Sequence, residues 1–132
     1  MILRTDKSKA LCTFTGRVIM GNQIGREIGF PTANIFVDSQ KIYLSHGVYA
    51  VRVIYNKESF LGIMNVGTRP TINEEKSCIH YEVHIFDFNK VIYNERLEVD
   101  VCFFIRNEIA FENLDQLILQ IKKDVDFAKS HL

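Results

Sequence analysis

The chain has 132 residues, 47% of them hydrophobic and 24% charged, which is the size and composition of one ordinary globular domain. Lys plus Arg equals Asp plus Glu at 16 each, so the net charge is zero and no broad nucleic-acid or anionic-membrane surface is expected. Three widely spaced cysteines (Cys12, Cys78 and Cys102) without a CxxC suit a reducing compartment, and no run approaches the ~20 apolar residues of a membrane span. A soluble, cytoplasmic protein is expected.

In chain order, "MILRTDKSKALCT" reads as an N-terminal arm, 1–13, ahead of one domain, 14–132. "CTFTGRVIM" is a strand candidate rich in β-branched and aromatic residues. "GNQIGREIGFPTAN", Gly21 to Asn34, follows. It lacks the Lys-Ser/Thr of a Walker A loop, and Pro31 forbids the helix that a dinucleotide fingerprint needs. Its glycines could bring backbone N–H groups close to a ligand, and Arg26 offers a fork for phosphate. Pro31 forces Phe30 extended, and in an extended run Thr32 and Asn34 face the same way. A hydroxyl and an amide oxygen are hard ligands suited to Mg²⁺. A glycine-rich bend between strands explains these residues equally well.

Next, "GVYAVRVIY" puts Tyr49, Val51, Val53 and Tyr55 on one strand face, with Val48, Ala50, Arg52 and Ile54 on the other. "YNKES" reads as a hairpin turn into "SFLGIMNVG". "NVGTRPTI", Asn65 to Ile72, reads as a Gly/Pro loop. In "CIHYEVHIF", Cys78, His80, Glu82 and His84 share the face opposite Ile79, Tyr81, Val83 and Ile85. At ~3.3 Å per residue His80 and His84 stand ~13 Å apart. Ligands of one Zn²⁺ lie within ~2.1 Å of it, so a single ion cannot use both. Periodicity leaves Glu82 either a solvated residue or a general base. "LEVDVCFFI" puts Leu97, Val99, Val101, Phe103 and Ile105 on one face.

The period changes at "ENLDQLILQIKKDVDFAKSHL", where Leu114, Leu117, Ile118, Ile121, Val125 and Ala128 form a helical stripe. Asn113 and Gln116 fit a capping box, and Phe111 could staple the connector to the helix. Five or six strands followed by one helix predict a small closed barrel or sandwich with the helix packed on it.

The segments "GRVIMGNQIGREIGFPTAN", "GVYAV", "NVGTRPTI", "EVHIFDF" and "FIRNEIAFENLDQLILQIKKDV" occur in an order that resembles riboflavin kinase from about Phe14 to the C-terminus. The resemblance implies a six-stranded antiparallel Greek-key β-barrel with a C-terminal helix. It implies ATP-dependent phosphorylation of the riboflavin ribityl 5′-hydroxyl, giving FMN and ADP. Carried over by motif, Glu82 would be the general base, and Thr32 and Asn34 would hold Mg²⁺ and the phosphates. Gly21 to Gly29, with Arg26, would cover the phosphates. Asp87 and Tyr93 would contact ATP, and Arg106, Ile109 and Phe111 the flavin. Two positions depart from the family pattern. Asn94 stands where Gly is usual, although Asn tolerates positive φ. Ile109 replaces a longer polar residue, which leaves backbone contact. Small-molecule substrates, no nucleic-acid or membrane partner and a monomer are expected. The resemblance fits either a stand-alone kinase or the C-terminal kinase domain of a bacterial bifunctional riboflavin kinase/FAD synthetase, whose adenylyltransferase domain would lie elsewhere. A catalytically silent flavin- or nucleotide-binding module is the alternative, disfavoured because a pure binder has no use for the base.

Overall fold

A computed structural model of the chain describes residues 10–19, 29–37, 42–70 and 77–132, apart from the side chains of residues 69, 70, 77 and 78. Gly21, Arg26, Ile72, most of the 1–13 arm and the Cys78 side chain therefore lie outside the described residues. The strands are β1 (Cys12–Ile19), β2 (Ala33–Phe36), β3 (Gly47–Tyr55), β4 (Glu58–Pro70), β5 (Ser77–Ile85) and β6 (Arg96–Arg106), followed by helix α1 (Leu114–His131). They close into a barrel in the order β1-β2-β5-β4-β3-β6, with every neighbouring pair antiparallel. The hairpin-linked run β3-β4-β5 with β6 returning beside β3 is a Greek key. Closure leaves no strand edge to be covered.

Alternation explains the two hydrophobic layers. Tyr49, Val51 and Val53 enter the barrel interior with Met64, Val83 and Leu97. Val48 and Ala50, on the opposite face of β3, are buried beneath α1 with Ile63, Phe86 and Ala128. Each fully buried Val or Leu of this kind stabilises the fold by about 1.5–3 kcal/mol. The β3–β4 turn is a two-residue hairpin with both central residues left-handed, Asn56 at φ 51° and Lys57 at φ 68°, as a type I′ turn requires.

Two sequence expectations are corrected. Asn65–Pro70 is not a loop but the end of β4, paired with β5 as far as Pro70↔Ser77. Gly67 leaves room there for the Glu108 carboxylate, the mobile end of a long side chain, and Pro70 is tolerated at the end of a ladder. The even alternation expected along β6 also fails. The β3–β6 register runs Val51↔Val101, Ala50↔Phe103, Tyr49↔Phe104 and Val48↔Arg106, with shifts that leave Cys102 and Ile105 as bulged residues. Phe103 thereby joins Ala50 on the helix side, and Phe104 meets Tyr49 edge-to-face at 5.2 Å. The second shift returns Arg106 to the helix side.

The helix begins as expected: Asn113 Oδ1 accepts from Gln116 N at 2.9 Å. Gln116 Oε1 reaches one residue further back than a standard capping box, accepting from Glu112 N at 3.2 Å.

Candidate active site

Thr32, Asn34 and Phe36 face away from the barrel interior, since Ala33, Ile35 and Val37 pack into it. The register sets Asn34 directly opposite Glu82 and Glu82 directly opposite Asn65, so three polar side chains lie abreast on β2, β5 and β4. Such neighbours have Cβ atoms ~4.5–5.5 Å apart. Asn34 is buried, at 6% exposure.

Glu82 and Asn65 line a cavity of about 320 Å³ on this outer face. The barrel residues Val48, Ile63, His84 and Arg106 line it as well, with Phe30 and Thr32 before β2, Glu108, Ile109 and Phe111 from the connector, and Leu117, Ile121 and Asp124 from α1. A second cavity, of about 420 Å³, opens at the end of the barrel between Val18, Pro31, Ala33, Val83, Ile85 and the segment Phe88–Tyr93. Thr32 lines both cavities.

The wall of the second cavity is stitched to β1: Asn94 N donates to Val18 O at 2.7 Å and Val18 N to Glu95 O at 2.9 Å. Glu95 N closes the turn onto Ile92 O at 3.0 Å, and Asn94 sits in it at φ 69°. Asparagine thus supplies the left-handed residue for which the family pattern uses glycine.

A charged strut holds the wall of the first cavity. Arg106 donates from Nε to both Asp124 carboxylate oxygens at 3.0 Å, and its NH2 group donates to Oδ2 at 2.8 Å. NH1 donates to Asn107 O at 3.0 Å. Gln120 Nε2 also donates to Asp124, and the guanidinium stands 5.9 Å from the Phe111 ring centroid. Arg106 therefore reaches the cavity with its donors largely committed, fixing β6 to α1 and backing Phe111. Glu108 faces His46 Nδ1 at 3.8 Å.

Of the residues singled out from sequence, Glu82, Arg106, Ile109 and Phe111 line the first cavity, Tyr93 lines the second, and Thr32 lines both. Asn34 adjoins Glu82 without lining either, and Gly29 (φ 93°) and Asp87 (φ 54°) are exposed turn residues that line neither. Asn65, His84 and Asp124 were not read as site residues. His84 Nδ1 stands 2.8 Å from Pro31 O. Asp124 could have been found because it lies three residues from Ile121 and four from Ala128, inside the apolar stripe. The free cysteines Cys12 and Cys102 are half-buried away from both cavities, and burial pushes both thiols up. Among the described residues, no helix is long and apolar enough to cross a membrane.

The flavokinase family model, described as riboflavin kinase, matches residues 9–132. The chain belongs to the riboflavin kinase family. A bifunctional riboflavin kinase/FMN adenylyltransferase from Haemophilus influenzae is 51% identical over 116 residues, covering 87% of this chain and 37% of that protein. A riboflavin kinase from Trypanosoma brucei superposes with a TM-score of 0.62 at 25% identity, over 89% of this chain and 77% of that one. A Streptococcus pneumoniae chain described as a macrolide-efflux protein superposes with a TM-score of 0.82 at 34% identity, over 89% of this chain and 38% of that one. The chain thus spans well under half the length of the bifunctional relative, and its closed six-stranded barrel with one C-terminal helix is the fold of a riboflavin kinase.

Proposed function

We propose that this chain transfers the γ-phosphoryl group of ATP to the ribityl 5′-hydroxyl of riboflavin, releasing FMN and ADP. The observation that carries the reading is that Thr32 is common to two cavities, with Glu82 in the first. Phosphoryl transfer requires two substrates to meet at one point, and positioning with charge neutralisation supplies most of the catalysis. The first cavity suits the isoalloxazine ring, with Phe111, Ile109 and Leu117 as apolar walls. The second suits the nucleotide, with Tyr93, Asn89 and Lys90 along it.

Glu82 takes the proton of the ribityl hydroxyl as that oxygen attacks the γ-phosphorus, a role typically worth 10²–10⁴-fold. Thr32 and Asn34 would hold Mg²⁺ and the phosphates, the bound ion neutralising phosphate charge. What supports this is that Thr32 lines both cavities and Asn34 shares its face in register with Glu82, although Asn34 itself is buried and lines neither cavity. Gly21 to Gly29 with Arg26 is assigned to covering the phosphates, Asp87 to the nucleotide, and Arg106 to backing the flavin wall. The reaction is assigned to the cytoplasm and to the single domain 14–132, acting as a monomer. The second activity in the bifunctional relative's name is not assigned to this chain.

Incubation with riboflavin, ATP and Mg²⁺, followed by chromatography, tests the reading. FMN is expected. Absence of FMN with every divalent ion and nucleotide tried would instead favour a silent binding module.

A further inference from the structure

We propose that His84 is a positioning residue, a side-chain latch that orients Thr32 relative to Glu82. The inference rests on the kinase reading for its catalytic meaning, but the latch itself rests on geometry. The β2–β5 ladder ends at the pair Ala33↔Val83. One step further out, Thr32 falls opposite His84, beyond the ladder. Pro31, with no N–H, cannot extend the pairing by donation. The His84 side chain takes over: its Nδ1 stands 2.8 Å from Pro31 O.

That carbonyl belongs to the peptide joining Pro31 to Thr32, so the bond sets the peptide plane from which Thr32 departs. A carbonyl only accepts, so Nδ1 carries the proton in this bond. The imidazole is itself held edge-on by Phe30 at 5.5 Å and Phe86 at 5.7 Å. His84 shares the outward face of β5 with Glu82, ~6.6 Å along the strand. One rigid strand therefore carries the base and, through the latch, fixes the residue common to both cavities. Misplacement of about 1 Å at such a point can cost large factors in rate.

Two substitutions separate donor from ring. His84→Phe keeps an aromatic ring and removes the donor; His84→Asn keeps a donor near the Nδ1 position and removes the ring. The expected result is a roughly three- to tenfold fall in kcat for His84→Phe, the size of one lost hydrogen bond. KM for riboflavin should stay within about twofold, with at least half of kcat restored in His84→Asn. Wild-type kcat in His84→Phe, equal losses in both variants, or a loss confined to KM for riboflavin would overturn the proposal. The imidazole ¹⁵N spectrum of the unsubstituted protein gives a readout independent of turnover. An Nδ1–H tautomer is expected, and an Nε2–H tautomer would contradict the latch even in an active enzyme. Failure of the unsubstituted protein to form FMN while showing the Nδ1–H tautomer would sink the kinase reading and, with it, the catalytic role of His84.

Discussion

The two cavities lie on opposite faces of one strand. In "EVHI", Glu82 and His84 point outward into the first cavity, whereas Val83 and Ile85 line the second. The first cavity is enclosed by parts the barrel does not contain, namely the 107–111 connector and α1. The second is a gap at the barrel end, based on core residues and rimmed by exposed Asn89, Lys90 and Tyr93. The difference shows how a small barrel can serve two substrates. A period of two hands alternate residues to alternate sites, and Thr32, just beyond the β2 ladder, stands where the sites meet.

The largest effect expected is on the outward face alone. Glu82→Gln should lower kcat by about 10²–10⁴-fold with both KM values little changed; wild-type kcat would remove Glu82 from the chemistry. Asp124→Ala should come next, because it leaves the Arg106 guanidinium, 17% exposed, without its carboxylate. A stability loss of about 3 kcal/mol in urea unfolding is expected, with the riboflavin KM raised more than that for ATP. Thr32→Ala should lower Mg²⁺-dependent nucleotide affinity by about ten- to a hundredfold, measured by calorimetry, and should also slow turnover. Unchanged affinity would take away its metal and phosphate role.

Much of this was legible in the sequence because period two and period 3.6 report burial directly. Strands β1, β3 and β5, the Asn56–Lys57 turn and the Asn113 cap follow from local patterning, and the barrel's closure is consistent with it. What stayed hidden depends on neighbours far along the chain. Gly67 reads as a turn residue until Glu108 is seen packed on it. The β6 bulges carry no signature in "DVCFFIR", yet they decide that Phe103 faces the helix and Arg106 meets Asp124. Asp124 stands in the apolar stripe of the helix, but its pairing with the partly buried Arg106, 18 residues back, depends on how the fold seats the helix. His84 shares its face with Glu82 in plain alternation, but its hydrogen bond to Pro31 spans 53 residues.

The central claim is that the two cavities hold different substrates, and paired kinetics on their aromatic walls test it most directly. Tyr93→Ala should raise KM for ATP about tenfold, equivalent to 1.4 kcal/mol, and leave KM for riboflavin within about twofold. Phe111→Ala should do the reverse. If both substitutions raised the same KM, or if each raised both equally, the two-cavity account would be contradicted.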